Sequence, residues 1–97
     1  MTYELQFHPE ALREWKNLDG SMKQILKKKL EARLENPKVP KAALHTLPDC
    51  YKIKSGSYRL VYRVIDATVV VLVMAIGKRE RLAAYEVASE RIEGDDD

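Results

Sequence analysis

Four stretches of the chain have the apolar spacing or composition of β-strands. Apolar residues alternate with polar ones in Thr2–Phe7, which is typical of a strand buried on one face. Cys50–Lys54 and Tyr58–Ile65 are rich in Val, Ile and Tyr and flank a turn candidate at residues 55–57. Thr68–Ile76 contains an apolar run without alternation, which predicts a central strand covered on both faces.

Apolar residues recur at helical spacing in three other segments. A first helix is predicted from Pro9 until Asp19-Gly20 ends it, with Leu12 in its apolar stripe. Ser21 and Gln24 form a capping-box pattern that predicts the start of a second helix, which ends at Asn36-Pro37. The stripe of this second helix is predicted from its apolar residues, which are Met22, Ile25, Leu26, Leu30 and Leu34. Helical spacing returns in Arg79–Ile92.

The predicted order of elements is β-α-α-β-β-β-α. It indicates an α+β fold, with a helical hairpin packed on an antiparallel-rich sheet. We predict that residues 1–93 form a single domain, since 97 residues are enough for one modest core. Residues 94–97 are predicted to be a disordered acidic tail.

Composition narrows the class of protein. The chain is 45% hydrophobic and 33% charged, which is within the range of globular proteins. Its single cysteine cannot form an internal disulfide, and its two histidines lie far apart, so we expect no metal site and no cofactor. No apolar run is long enough to span a membrane, so we expect a cytoplasmic protein without a membrane partner.

Positive charge is concentrated on the predicted strands. Between Cys50 and Tyr85, seven Lys and Arg residues outnumber two carboxylates, whereas the rest of the chain has ten against thirteen. A two-residue turn at Gly56-Ser57 would place Lys54 directly opposite Arg59, and the separation of apolar from charged residues favours this register over that of a three-residue loop. Four cations would then share one face of the sheet, with the apolar residues on the other face: Lys52, Lys54, Arg59 and Arg63.

Like charges on opposed strands destabilise a sheet by up to about 1 kcal/mol, so another interaction must favour this arrangement. A polyanion would do so, and the positive charge indicates a phosphate-rich partner. The alternative is that the cations pair with internal carboxylates, such as Glu80, Glu86 or Glu90. Lys27 and Lys28 lie on the polar side of the second helix, where a solvated face is the simpler interpretation.

Several segments together resemble the RelE family of bacterial type II toxins. They are DCYKIK, YRLVYRVID, GKRER with a Tyr four residues further on, and EALREWKNLD with the lysine-rich helix after it. The resemblance covers nearly the whole chain and implies the same β-α-α-β-β-β arrangement. Where the family tends to have a basic residue and a glycine before DCYKIK, this chain has His45 and Thr46, and its hairpin after Lys54 is shorter.

The resemblance implies a ribosome-dependent endoribonuclease that cuts mRNA in the ribosomal A site and inhibits translation. It places the catalytic set at Lys52, Lys54, Arg59, Arg79 and Tyr85. We assign Arg63, Lys78, Arg81, Lys27 and Lys28 to general RNA contact. The implied partners are a RelB-like antitoxin and the 70S ribosome with its mRNA and rRNA, and operator DNA is reached only through the antitoxin complex.

These residue types suit cleavage by the 2′-OH, which attacks the adjacent phosphate. Arg59 and Lys54 would hold the phosphate, because a guanidinium matches the geometry of its oxygens. Arg79 would stabilise the leaving oxygen. Lys52 is the candidate base, because neighbouring cations are expected to disfavour its protonated form. Tyr85 is the alternative base, or a platform on which a nucleobase stacks.

Two other functions stay open at this point. One is a gyrase inhibitor of the related ParE type, which generally lacks this Lys, Arg and Tyr set. The other is an inactive relative that serves as an interaction module for operator binding.

Overall fold

Two helices and four strands contain most of the residues that the structure describes. The structure is a computed structural model that describes residues 2–78, 87, 88 and 91. In chain order the elements are β1 (Glu4–Phe7), α1 (Pro9–Lys16), α2 (Gly20–Glu35), β2 (Cys50–Ser55), β3 (Tyr58–Ile65) and β4 (Val70–Lys78). The predicted class and element order are confirmed through β4. Most of the predicted last helix, and the predicted tail at residues 94–97, lie outside the described residues; Val87, Ala88 and Arg91 have helical backbone conformation.

The strands form one mixed sheet in the order β1-β4-β3-β2. The three later strands form the expected antiparallel meander, and β1 joins β4 in parallel, with Leu5 opposite Val71. β4 therefore lies in the interior of the sheet. Its residues from Val70 to Ile76 are buried except for the half-buried Leu72, which confirms the prediction of a strand covered on both faces.

Two apolar clusters lie on opposite faces of this sheet. The first lies between the sheet and the two helices and includes Leu26, Leu30 and Tyr62. The second lies on the other face, and its buried members are Leu47, Cys50, Val61, Met74, Ala75 and Ala88. The predicted division into an apolar face and a basic face is therefore wrong for the second face. Its cations border an apolar patch because the loop before β2 and residue 88 cover its centre.

A β-bulge in β4 helps to build the second cluster. Val61 is paired with Ala75 and Tyr62 with Val73, so Met74 is an extra residue on the β4 side. Met74 and Ala75 consequently both belong to the second cluster, although adjacent strand residues normally point to opposite faces.

The start of α2 differs from the prediction. The N-cap is Asp19, whose carboxylate accepts a hydrogen bond of 2.8 Å from the backbone N–H of Met22, and Ser21 lies inside the helix. Asp19-Gly20 therefore begins α2 as well as separating it from α1. An aspartate at this position satisfies a free N–H of the first turn and suits the positive end of the helix dipole.

Strand β4 begins two residues later than predicted. The Asp66–Thr68 segment forms a 3-10 turn, and Val69 then adopts a left-handed conformation with φ of 55°. The apolar stripes also differ, because Leu12 is 37% exposed and Ile25 is 44% exposed. Both lie at the margin of a helix whose neighbouring positions, such as Ala11 and Leu26, point into the first cluster.

The carboxylate of Asp66 ties the end of β3 to two distant segments. It accepts a hydrogen bond of 2.8 Å from the Tyr3 hydroxyl and forms an ion pair with Lys38. Hydrogen bonding to Lys38, and then to Tyr3, lowers the pKa of Asp66 below its ordinary value, while the same contacts raise the pKa values of Lys38 and Tyr3. Asp66 is thereby paired away from the strand cations.

We expect an Asp66→Asn variant to unfold at a lower urea concentration than the wild type at neutral pH. Because the folded-state pKa of Asp66 is lowered, its stabilising effect is present above its unfolded-state pKa and is lost as the pH falls through the folded-state value. Urea unfolding at about pH 7 and about pH 2 should therefore show a difference that disappears in acid. A difference of the same size at both pH values would contradict the assignment.

No helix in the described part of the chain is long and apolar enough to cross a membrane.

Candidate functional site

The turn between β2 and β3 sets the positions of the central cations. Gly56 has a φ of 56°, a conformation that glycine adopts without strain, and Ser55 pairs with Tyr58 across a two-residue turn. Lys54 is paired with Arg59, and Lys52 with Val61. The predicted register is confirmed, and these side chains lie on the sheet face that carries the second apolar cluster.

Arg59 is the least exposed of the predicted site cations that the structure describes. A cation on a charged sheet face is expected to be well exposed, but only 8% of the residue is exposed. Its Nη1 donates a hydrogen bond of 3.0 Å to the carbonyl oxygen of Tyr58, and its partner on β4 is Gly77, which has no side chain. The guanidinium therefore lies close against the sheet, and one of its five N–H donors is bonded to the strand backbone.

Carboxylates do not neutralise these cations within the part of the chain that the structure describes. The ion pairs found there are Arg13 with Glu10, Lys38 with Asp66 and Arg91 with Glu14. A charge that is removed from water is costly unless it is paired, and Arg59 forms no ion pair with a carboxylate that the structure describes. The alternative carboxylate partners, Glu80, Glu86 and Glu90, lie outside the described residues.

Three residues of the predicted site lie outside the described residues: Arg79, Arg81 and Tyr85. Lys78 ends β4 opposite Tyr58, so the alternation of the strand places it on the helix side of the sheet, away from Arg59.

The predicted RNA-contact residues occupy different surfaces. Arg63 is paired with Cys50, on the same face as Arg59 but four residues along β3, which corresponds to about 13 Å. Lys27 and Lys28 are exposed on α2, as a solvated helix face requires. The structure thus brings Lys52, Lys54 and Arg59 together and sets Arg63, Lys27 and Lys28 apart from them.

Ala88 and Arg91 lie beside the part of β4 that follows Val73 and is no longer paired with β1. In this part of β4, the backbone N–H of Ile76 donates to Glu14 Oε1 at 3.1 Å. Arg91 donates from Nη1 to the carbonyl oxygen of Met74 at 2.7 Å, and from both Nη atoms to the Glu14 carboxylate at 2.9 and 3.2 Å. This bidentate pair satisfies backbone groups of β4 and helps to hold Ala88 in the second cluster.

Sequence reasoning missed the cations beside the outer edge of β2. Lys29 and Arg33 of α2 donate to backbone carbonyl oxygens of this strand, and Arg33 and Lys41 line a groove beside Lys52 and Lys54. A signal existed for Arg33, because it lies three residues after the buried Leu30, near the packed side of the helix. Lys41 had no comparable signal.

Cys50 is unsuited to nucleophilic chemistry. It is almost fully buried in the second cluster, and burial raises the pKa of its thiol to about 11. The thiolate that would be the nucleophile is therefore scarce at neutral pH. In the described ranges, no three His, Cys, Asp or Glu side chains lie close enough together to hold a metal ion.

Comparisons with known proteins identify the family. A sequence model of the ParE toxin of the type II toxin–antitoxin system parDE matches residues 5–83. The mRNA interferase toxin RelE of Escherichia coli strain K12 is 50% identical over 94 residues, which cover 95% of this chain and 99% of that protein. The mRNA interferase RelE of Shigella flexneri has the same identity and coverage.

Solved structures show the same fold. A double mutant of E. coli toxin RelE in the free state superposes with a TM-score of 0.88 at 48% identity, covering 95% of this chain and 99% of that chain. RelE in the intact E. coli RelBE toxin–antitoxin complex gives a TM-score of 0.78 at 51% identity, covering 81% and 99%. The chain therefore belongs to the ParE toxin family of type II toxin–antitoxin systems and is a RelE-like member of it.

Proposed function

We propose that this protein is the toxin of a type II toxin–antitoxin system and an endoribonuclease that cuts mRNA in the ribosomal A site. The observation that carries the proposal is the opposed pair of Lys54 and Arg59, with Arg59 buried and no ion pair to a carboxylate among the described residues. A phosphate would supply the missing negative charge. The two relatives named as mRNA interferases, each 50% identical over nearly the full length, support the same activity.

The chemistry we propose is internal transesterification. The 2′-oxygen forms a bond to the adjacent phosphorus while the bond from phosphorus to the 5′-oxygen breaks, which leaves a 2′,3′-cyclic phosphate and a 5′-hydroxyl. Arg59 and Lys54 stabilise the extra negative charge on the phosphate. The 2′-OH proton goes to the amine nitrogen of Lys52 or, alternatively, to Tyr85, and the leaving 5′-oxygen takes up a proton from water.

The remaining assignments extend this site. Arg79 stabilises the leaving oxygen. If Lys52 is the base, Tyr85 provides a surface on which a nucleobase stacks. Arg63, Lys78, Arg81, Lys27 and Lys28 contact the RNA of the message or the ribosome through charge. None of these roles needs a metal ion, and we propose a metal-independent reaction.

The proposed partners follow from the family. A RelB-like antitoxin neutralises the protein by covering the cationic site; the support for this partner is that E. coli RelE forms a complex with its antitoxin. Operator DNA is bound only through that complex. The 70S ribosome presents the mRNA, which places the protein in the cytoplasm.

Induced expression followed by primer extension on a cellular mRNA tests the proposal. We expect growth arrest and new 5′ ends at codon spacing within translated regions, because the ribosome positions each codon in turn. DNA damage without mRNA cuts would instead indicate a gyrase inhibitor. Unchanged growth with intact mRNA, at a verified level of folded protein, would indicate an interaction module, and either outcome would overturn the proposal.

A further inference from the structure

The outer edge of β2 is covered by two cations of α2. Lys29 Nζ donates to the carbonyl oxygen of Lys54 at 2.7 Å, and Arg33 Nη1 donates to the carbonyl oxygen of Lys52 at 3.1 Å. Four residues of a helix and two residues of a strand span nearly the same length, about 6 Å, so the two donors match two successive outward carbonyls. The edge strand is thereby protected and its lysines are fixed relative to α2.

A groove of 280 Å³ runs beside this edge, and we name it the edge groove. Its lining consists of four cations and two small apolar residues: Arg33, Lys41, Lys52, Lys54, Val39 and Ala42. Carboxylates are absent from this lining, and none of the four cations forms an ion pair with a described carboxylate. Four like charges around one concavity repel each other, so the edge groove is suited to an anionic ligand.

The guanidinium of Arg33 is fixed before any ligand arrives. Its Nη1 also donates to the Tyr62 hydroxyl at 2.9 Å, and that hydroxyl donates to the carbonyl oxygen of Pro37 at 2.6 Å. Tyr62 is fully buried, and the guanidinium lies 5.9 Å from the centre of its ring. Little conformational entropy is then lost when the remaining N–H donors of Arg33 bind an anion.

We propose that the edge groove binds a backbone phosphate of single-stranded RNA next to the phosphate that is cut, so that Arg33 and Lys41 are RNA-binding residues. The inference rests on the proposed function. Lys52 and Lys54 line the edge groove and also belong to the candidate catalytic set, so a strand held in the groove continues directly to Arg59. A volume at the small end of ligand sites suits one sugar–phosphate unit better than a folded segment of a partner.

The test compares Lys41→Gln with Lys16→Gln, both at exposed lysines. Lys16 ends α1, which packs on β1 and β4 rather than on β2, so its variant is a charge-matched control. The probe is a 2′-O-methylated tetranucleotide, which binds but cannot be cut, titrated by fluorescence anisotropy between about 50 and 200 mM salt. We expect Lys41→Gln to raise the Kd about tenfold and to reduce the salt slope by roughly 0.7, with no change for Lys16→Gln.

Two further arms identify the ligand. The Lys41→Gln variant should bind ribosomes without mRNA as tightly as the wild type does, because the groove is assigned to the message. If the variant bound these ribosomes more weakly but bound the tetranucleotide normally, the groove would bind a phosphate of rRNA, and the proposal would be overturned. Weaker binding of the antitoxin with unchanged RNA affinity would also overturn it. Equal Kd values and slopes for the two variants would do the same.

Arg33→Gln provides a second variant, checked by thermal melting because Arg33 also bonds to Tyr62. We expect a larger loss of RNA affinity than with Lys41→Gln in a protein that still melts cooperatively. In the ribosome assay, both variants should raise KM and leave kcat within about twofold, as expected when an interaction with bound substrate and transition state alike is removed. If the wild type failed to cut mRNA, the tetranucleotide titration would still decide whether the groove binds RNA.

Discussion

Replacing Arg59 with alanine should lower the single-turnover rate of mRNA cleavage on programmed ribosomes by at least about 100-fold. Removing one preorganised donor to a developing negative charge commonly has an effect of about 100- to 1,000-fold. Arg59 is expected at the upper end of that range, because it is only 8% exposed and electrostatic interactions strengthen as water is excluded. Quench-flow measurement at saturating protein concentration separates this effect from weaker binding.

Measuring the stability of Arg59 variants together with their activity distinguishes a functional arginine from a structural one. Arg59→Met keeps much of the side-chain volume and removes the buried charge, so it should be inactive but melt at the same temperature as the wild type or higher. Arg13→Ala removes an exposed arginine on α1 and should leave cleavage unchanged. Cleavage by Arg59→Met within about tenfold of the wild type would show that this guanidinium does not stabilise the reacting phosphate.

Cleavage of an mRNA codon in the ribosomal A site should be at least about 1,000-fold faster than cleavage of the same RNA free in solution. Lysine, arginine and tyrosine have ordinary pKa values of about 10 or above, so the proposed site has no group that is well matched to proton transfer at neutral pH. Orientation of the 2′-OH in line with the leaving oxygen must then supply much of the rate. A ribosome that holds the codon in this geometry would provide it.

The measurement compares initial rates on a programmed ribosome and on naked RNA of the same sequence. The naked RNA should be cut slowly at any protein concentration, because binding alone does not align the reacting atoms. A ribosome that holds the same codon in the P site is the control. That codon should not be cut, because it lies outside the A site. Similar rates on ribosome-bound and free RNA would contradict the proposal that the ribosome orients the 2′-OH for attack.

The sequence predicted the local geometry of the site well. The turn at Gly56-Ser57 and the alternation along both strands were enough to place Lys54 opposite Arg59, because a shift of one residue would expose Leu60 and Tyr62. The buried central strand could also be predicted from the sequence, since a strand that is buried on both faces has a continuous apolar run. In these cases the physical constraint lies within one hairpin or one strand.

Features that join distant segments could not be predicted in this way. Arg59 is buried on a face whose apolar cluster is completed by Leu47 and Ala88. The sequence of the hairpin does not indicate that these residues cover it. The bulge at Met74 depends on pairing between two strands, and the edge groove depends on how α2 lies against β2. The sequence therefore indicated which residues carry charge but not how deeply that charge is placed.

The end groups of the RNA produced on programmed ribosomes test the central claim most directly, because they report which oxygen attacked. The proposed site has cations to stabilise a phosphate and a base to activate the 2′-OH, so mass spectrometry of the A-site product should show a 2′,3′-cyclic phosphate and a 5′-hydroxyl at one position within the codon. Arg59→Met should give neither product. Wild-type protein that leaves the codon intact, or that yields a 3′-hydroxyl and a 5′-phosphate, would contradict the account.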